Sequence, residues 1–264
     1  MTVRLEDMTW PEVKEALTRP HAIIIPLGST EEHGYHLPLK TDSLHATHIA
    51  EHAAQRVLDE HNIRAMVAPT LDYTDVSMHK MFPGTIGLKV DTLIRVIIDI
   101  LEGFLDQGFK NVFILNGHLH NNCCMEAAVR TVAYQRPEAK LYALCAVMGL
   151  GSHVLPGLVK AGTAGKGHAL EVETSDVLFM EPESVHLDRA VKGSRKLPLA
   201  EKYVGDAGED TRHGVIYYTG ITGNEETGIH GDPTMASRET GAKLVNAIVD
   251  DLVGIIVQAV KTGS

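Results

Sequence analysis

Short apolar runs alternate along this chain with longer segments of helical periodicity. Four of the runs have the length of single strands, and they cover residues 22–28, 64–69, 112–115 and 140–148. Apolar side chains recur at helical spacing over residues 43–60, between Asp91 and Gly108, up to about Gln135, and over residues 236–260. Strands that alternate with helices predict βαβ units with right-handed crossovers. The pattern therefore predicts an α/β fold with a mostly parallel sheet.

Two aspartates stand where helices are predicted to begin. Asp42 directly precedes the segment 43–60, and Asp91 precedes the next helical segment. Aspartate is favoured at such positions because its side chain accepts a hydrogen bond from a backbone N–H that the helix leaves free. Gly108 stands at the end of the second segment, where glycine is favoured because it tolerates a positive φ. We therefore expect Asp42 and Asp91 to be helix caps.

The length and charge of the chain limit its architecture and its partners. No Pro/Gly/Ser-rich linker divides the 264 residues, so we expect a single domain over residues 1–264. The chain has 34 acidic and 24 basic residues, and the resulting net charge of −10 argues against nucleic acid or an anionic membrane as a partner. We find neither a signal-peptide pattern nor the roughly 20 apolar residues that cross a bilayer. Three cysteines make no disulfide framework, and we expect a cytoplasmic protein.

Polar side chains follow the predicted strands, where open parallel sheets bind ligands. Residues two apart in an extended loop project to the same side, so Glu31 and His33 can converge on one ion or on two adjacent ions. Asp42 returns after a short loop, and His118 follows the third strand. Taken singly, they are more ordinary features: a solvated loop, a helix cap and a core histidine. Taken together, they favour a metal site, and mixed imidazole and carboxylate ligands suit Zn²⁺, Mn²⁺ or Fe²⁺.

Five segments match, in order along the chain, the motifs of a known family. They are Pro26-Leu-Gly-Ser-Thr-Glu-Glu-His-Gly-Tyr-His-Leu-Pro-Leu-Lys-Thr-Asp42, Phe82-Pro-Gly-Thr-Ile-Gly-Leu88, Leu115-Asn-Gly-His118, Gly167-His-Ala-Leu-Glu-Val-Glu-Thr-Ser175 and Gly228-Ile-His-Gly-Asp-Pro-Thr-Met-Ala236. They closely resemble the motifs of the creatininase (creatinine amidohydrolase) family. The matches extend from about Trp10 to Gly241, which is nearly the whole chain.

This resemblance implies a fold, an assembly and a cofactor. The fold is a three-layer αβα sandwich with a mostly parallel sheet, and the assembly is a homohexamer. The cofactor is a pair of divalent metal ions. Carried over residue by residue, the resemblance implies that Glu31 and His118 bind one ion and that His33 binds the other. Asp42 would bridge the two.

The resemblance also implies residues that act beside the metals. His168 matches a histidine implicated in proton transfer, and Glu173 matches a neighbouring carboxylate of the catalytic site. His120 stands where creatininase itself has a glutamate that serves the second ion. His120 therefore either binds metal or contacts substrate; we favour substrate contact, which leaves Glu173 as the carboxylate for the second ion. His79 and Thr85 are further predicted substrate contacts.

These residues predict a hydrolase in which metal-activated water attacks a carbonyl-centred bond of a small, polar, cyclic metabolite. Creatinine is not the expected substrate, because creatininase encloses it with tryptophans and this chain has only Trp10, in a predicted N-terminal helix. Two enzymatic alternatives stay open: hydrolytic C–C cleavage of a cyclic diketone such as an oxidised inositol, and metal-dependent processing of a peptide. A non-catalytic metal-stabilised module is disfavoured, because it would leave His168 and Glu173 without a role.

Overall fold

A single parallel sheet forms the centre of the protein in a computed structural model that describes residues 2–147, 149–193 and 226–262. Its strands are β1 (His21–Leu27), β2 (Arg64–Val67), β3 (Asn111–Asn116) and β4 (Lys140–Cys145). Their order in the sheet is β2-β1-β3-β4, and every neighbouring pair is parallel. Every residue of β1, β2 and β3 is buried, as expected for strands covered on both faces. The predicted parallel α/β sheet is confirmed.

Helices cover both faces of this sheet. They are α1 (Trp10–Ala16), α2 (Thr41–His61), α3 (Val90–Asp106), α4 (Asn122–Gln135), α5 (Glu171–Met180) and α6 (Arg238–Lys261). Because strand side chains alternate between faces, Ile24 and Phe113 pack with the apolar sides of α2 and α6, whereas Ile23 and Ile114 pack with those of α3 and α4. The three-layer αβα sandwich is thus confirmed. None of the described helices combines the length and apolarity needed to cross a bilayer.

The two predicted aspartate caps are wrong. Helix α2 begins at Thr41 with Lys40 at its N-cap, and Asp42 lies inside the first turn. Its carboxylate accepts a hydrogen bond from Ser29 and contacts two histidines, so it is not free to cap backbone N–H groups. Helix α3 likewise begins before Asp91, which lies in its first turn. Gly108 does follow that helix, with a φ of +93°.

Two glycines bring the start of α2 onto the carboxyl ends of the strands. Gly28 directly follows β1, and Gly117 directly follows β3. A Cβ atom at Gly28 would lie 2.4 Å from the Cα of Ser43, and one at Gly117 would lie 2.5 Å from the carbonyl oxygen of Asp42. Any side chain at either position would push the helix away. The glycines therefore let Asp42 approach the residues that follow β3.

Candidate metal centre

Asp42 lies between two histidines that come from separate parts of the chain. Its Oδ1 atom is 3.1 Å from His33 Nε2, and its Oδ2 atom is 2.8 Å from His118 Nδ1. The hydroxyl of Ser29 donates to Oδ2 at 2.7 Å. Each carboxylate oxygen thus faces a different imidazole.

The other ring nitrogen of each histidine is held by a backbone carbonyl. His33 Nδ1 donates to the carbonyl oxygen of Glu31 at 3.0 Å, and His118 Nε2 donates to that of Asp75 at 2.8 Å. A carbonyl only accepts, so these bonds fix which nitrogen of each ring carries a proton. The nitrogens that face Asp42 are the ones left able to bind a cation, which is the arrangement typical of metal-binding histidines.

Glu31 completes one side of this cluster. Its side chain is fully buried, and its Oε2 atom lies 3.1 Å from His118 Nδ1. Among the described residues, that oxygen has no hydrogen-bond partner. His79 Nδ1 contacts the other oxygen of the same carboxylate. A buried carboxylate oxygen aimed into a cluster of imidazoles is a suitable ligand for a divalent cation.

Glu173 lies on the opposite side, near His33. Its Oε2 atom is 3.9 Å from His33 Nε2 and accepts a hydrogen bond from the backbone N–H of Ala169 at 2.6 Å. Burial raises the pKa of Glu173 to about 7, and the charge of Asp42 adds to this effect while that of His33 opposes it. The carboxyl is therefore poised to gain or lose a proton near neutral pH unless a cation lowers its pKa.

The ring of His168 stacks on that of His79 and lies at a tilt of 39° against that of His33. Its ring centroid lies 4.5 Å from that of His33 and 4.2 Å from that of His79. Burial and the charges of His79 and His33 hold the pKa of His168 well below its usual range. A histidine that is neutral at pH 7 can accept a proton, so the arrangement permits proton transfer at this ring.

The three predicted substrate contacts differ in their surroundings. His79 is buried against Glu31, as described above. His120 is half-buried; its ring centroid is 5.1 Å from that of His118 and 6.2 Å from that of His79. Thr85 is buried, and its hydroxyl accepts a hydrogen bond from the backbone N–H of Glu32 at 2.9 Å. The structure thus brings both histidines to the cluster. Thr85 instead contacts the loop that carries Glu31 and His33.

Within the part of the chain that the structure describes, three groups of side chains place their ligand atoms within 4.8 Å of one another. They are Glu31 with His118 and His120, Glu31 with His79 and His168, and His33 with His168 and Glu173. The imidazoles balance the charges of the carboxylates. Burial lowers the pKa of His118, but the negative charges of Glu31 and Asp42 outweigh burial and raise this pKa to about 10. Two or more divalent-cation ligands therefore exist on each side of Asp42, and this donor set fits the cofactor that the sequence predicts.

Sequence reasoning missed two polar residues of this region. Glu32 is buried and contacts His168, although the alternation of an extended loop places it opposite Glu31 and His33. His230 has its ring centroid 5.6 Å from that of His79 and 5.9 Å from that of His168. His230 lies in the Gly-Ile-His-Gly segment of the fifth family motif, so the family resemblance could have identified it. For Glu32, the sequence carries no signal beyond its position between two candidate ligands.

Comparison with known proteins gives one family over nearly the whole chain. Residues 6–256 match the family model for creatininase, described as creatinine amidohydrolase. The mycofactocin precursor peptide peptidase of Mycobacterium tuberculosis is 32% identical over 237 residues, which cover 88% of this chain and 83% of that protein. The 3-dehydro-scyllo-inosose hydrolase of Thermotoga maritima is 29% identical over 265 residues, which cover 95% and 81%.

The same likeness holds for solved structures. A creatininase variant of the Zn-Zn type superposes with a TM-score of 0.79 at 21% identity, over 98% of each chain. At that identity the superposition shows a shared fold. The family match, the named hydrolases and this fold agree with one another.

Proposed function

The chain belongs to the creatininase family of metal-dependent hydrolases, and on that premise we propose that it uses two divalent ions to hydrolyse a carbonyl-centred bond in a small, polar, cyclic metabolite. The observation that carries this proposal is the position of Asp42 between His33 and His118. Both histidines have their remaining ring nitrogen committed to a backbone carbonyl. One carboxylate between two such imidazoles is what a bridging ligand requires.

In this proposal the ligands divide into two sets that share Asp42. Glu31 and His118 would hold one ion, and His33 and Glu173 would hold the other. Imidazole and carboxylate ligands suit zinc, manganese or iron. When bound, such ions would supply two effects: a lower pKa for the attacking water and polarisation of the substrate carbonyl.

His168 supplies the proton transfer. Its depressed pKa keeps the ring neutral at pH 7, so it can take a proton from the attacking water. The same proton can then pass to the leaving group, which returns His168 to its neutral form. The carboxylate of Glu173 lies within 4.8 Å of the imidazoles of His168 and His33, and it would stay charged when it holds the second ion.

In this proposal His79, His120 and Thr85 contact the substrate. His120 and His79 offer imidazole nitrogens to hydroxyl or carbonyl groups of a polar ring, and Thr85 is the third assigned contact. Trp10 lies in α1, outside the five motifs, and 76% of its surface is exposed. No other tryptophan exists in the chain to enclose creatinine. These features favour a substrate other than creatinine.

Two relatives with different named activities support alternative substrates. The likeness to an inosose hydrolase over 95% of this chain favours C–C hydrolysis of a cyclic diketone as a second candidate. The 32% identity to a peptidase favours processing of a peptide as a third. The same metal ligands would serve all three reactions. Assembly as a homohexamer and a cytoplasmic location remain predictions, to be tested by light scattering and cell fractionation.

A panel of substrates tests the proposal. Purified protein from metal-supplemented cultures is offered cyclic amides, cyclic diketones derived from inositols, and peptides. We expect turnover of cyclic amides, lost on treatment with a chelator and restored by zinc or manganese. Asp99→Ala, which removes an exposed carboxylate of α3, is the control and should behave as wild type. Turnover of the diketones or the peptides alone would replace the proposed substrate class, and turnover that survives chelation would contradict the metal-dependent reaction.

A further inference from the structure

Glu32 is a buried carboxylate that the metal sets do not use. It lies between Glu31 and His33 in the loop after β1, and only 6% of its surface is exposed. Its neighbours on both sides direct their side chains to Asp42 and His118, and alternation directs Glu32 away from them. A buried carboxylate without an ion or a hydrogen bond would cost several kcal/mol, so its partners indicate its role.

The partners of Glu32 are His168, a candidate catalytic residue, and the backbone of its own loop at Gly34. Oε1 of Glu32 lies 3.0 Å from Nε2 of His168, which is hydrogen-bond distance. Oε2 accepts a hydrogen bond from the backbone N–H of Gly34 at 2.8 Å. The two oxygens are therefore divided: one holds the loop, and the other faces the imidazole. His79 Nε2 is more distant, at 3.8 Å from Oε1.

The surroundings leave this carboxylate little freedom. The backbone N–H of Glu32 donates to the hydroxyl of Thr85, which anchors the residue from one side. Gly228 packs on the other side, where a Cβ atom would lie 1.9 Å from Oε2 of Glu32. The φ of Gly228 is +68°, a conformation that also disfavours a side chain there. Segments far apart in sequence thus converge to fix the direction of one carboxylate.

We propose that Glu32 is a positioning residue that sets the tautomer and orientation of His168. The proposal rests on the role given to His168 under the proposed function. In its ionised form the Glu32 carboxylate only accepts hydrogen bonds, so Nε2 of His168, 3.0 Å from Oε1, is then the nitrogen that carries the proton. Nδ1 is then the nitrogen that accepts the proton from the attacking water and passes it to the leaving group. While His168 is doubly protonated, the charge of Glu32 stabilises it, as the aspartate does in a Ser-His-Asp triad.

Glu32→Gln tests this role without changing the shape of the side chain. The amide can keep its oxygen toward Gly34 only by turning its NH₂ group toward His168 Nε2, which favours the opposite tautomer. Otherwise the NH₂ group faces the N–H of Gly34, which places two donors together. We expect kcat to fall by about 10- to 100-fold, the usual effect of losing such a partner, with KM and metal content within about twofold of wild type.

Glu171→Gln is the matched control. Glu171 is also a fully buried carboxylate, and it accepts hydrogen bonds from the backbone N–H groups of Lys160 and Ala161. Among the described residues, its carboxylate is hydrogen-bonded to these two N–H groups and not to His168, so its neutralisation should leave kcat unchanged. An equal loss of kcat in both variants would show that the effect of Glu32→Gln is a general cost of neutralising a buried carboxylate.

The tautomer itself gives a readout that needs no substrate. Long-range ¹H–¹⁵N spectra of the zinc-loaded protein, with His168 identified by its loss in His168→Ala, should show the Nε2–H form in wild type and the Nδ1–H form in Glu32→Gln. An Nδ1–H form in wild type, or an unchanged kcat in Glu32→Gln, would overturn the proposal. Unchanged turnover in His168→Ala would instead refute the catalytic role of His168, so the two failures are distinguishable.

Discussion

Both ends of the central sheet carry buried polar side chains, but they use them differently. At the amino ends of β1, β2 and β3 stand His21, Arg64 and Asn111, all largely buried. Their described hydrogen bonds are mostly with the main chain: Asn111 Nδ2 donates to the carbonyl of His21 at 3.0 Å, and Arg64 Nη2 donates to that of Thr2 at 2.8 Å. These side chains join neighbouring segments of backbone.

At the carboxyl ends, the buried side chains face one another instead. Asp42 contacts His33 and His118, and Glu31 contacts His118 and His79. Burial works against the charge of Asp42, yet His33 and His118 hold its pKa well below its usual range. Folding alone gains little from gathering such groups, because desolvating several ionisable groups costs as much as their attraction returns. The difference indicates that the amino end serves stability and the carboxyl end serves a cation.

The largest expected effect comes from breaking the carboxyl end at its centre. Asp42→Ala removes the ligand that the two proposed sets share, so we expect it to lose both ions and all measurable turnover. Elemental analysis of purified protein gives the metal-to-protein ratio that checks this. Glu31→Ala should lose chiefly one ion. If Asp42→Ala retained its metals, Asp42 would not be the bridging ligand.

His168→Ala separates chemistry from metal binding at the same end. We expect kcat to fall by about 10²- to 10⁴-fold, the usual range for a general acid or base, while metal content and fold are retained. Steady-state kinetics and elemental analysis on the same preparation measure both. Loss of metal in this variant would assign His168 to the ligands and remove its catalytic role.

These contrasts show what the sequence could and could not predict. The alternation of strands and helices predicts the parallel sheet, because burial on both faces requires continuous apolar strands such as β1 and β3. The motifs predict which side chains gather at the carboxyl ends. The direction of Glu32 depends on how residues 85, 168 and 228 meet across the fold, which no local pattern encodes. The cap predicted at Asp42 failed for the same reason, since its carboxylate instead contacts His33 and His118.

A substitution at the amino end should change stability alone. Asn111→Ala removes the hydrogen bond to the carbonyl of His21 in a buried position. We expect the free energy of unfolding to fall by about 1–3 kcal/mol, the cost of leaving such a group without its partner. Urea unfolding followed by circular dichroism measures it. Metal content and kcat should match wild type, and a loss of metal would erase the distinction between the two ends.

The smallest expected effect is at the rim of the carboxyl end. His120→Ala should leave metal occupancy near wild type and raise KM by about 2- to 10-fold, which corresponds to one hydrogen bond to an uncharged substrate group. The ligand atom of His120 lies within 4.8 Å of those of Glu31 and His118. Loss of one ion in this variant would therefore move His120 from the substrate contacts to the metal ligands.

The most direct test of the central claim is anomalous diffraction from crystals of zinc-loaded protein. The account predicts two zinc peaks, one on each side of the Asp42 carboxylate, the first beside Glu31 and His118 and the second beside His33 and Glu173. Imidazole nitrogens should lie about 2.0–2.1 Å from each ion. Zinc peaks confined to surface residues, or a single peak that Asp42 does not touch, would contradict the account.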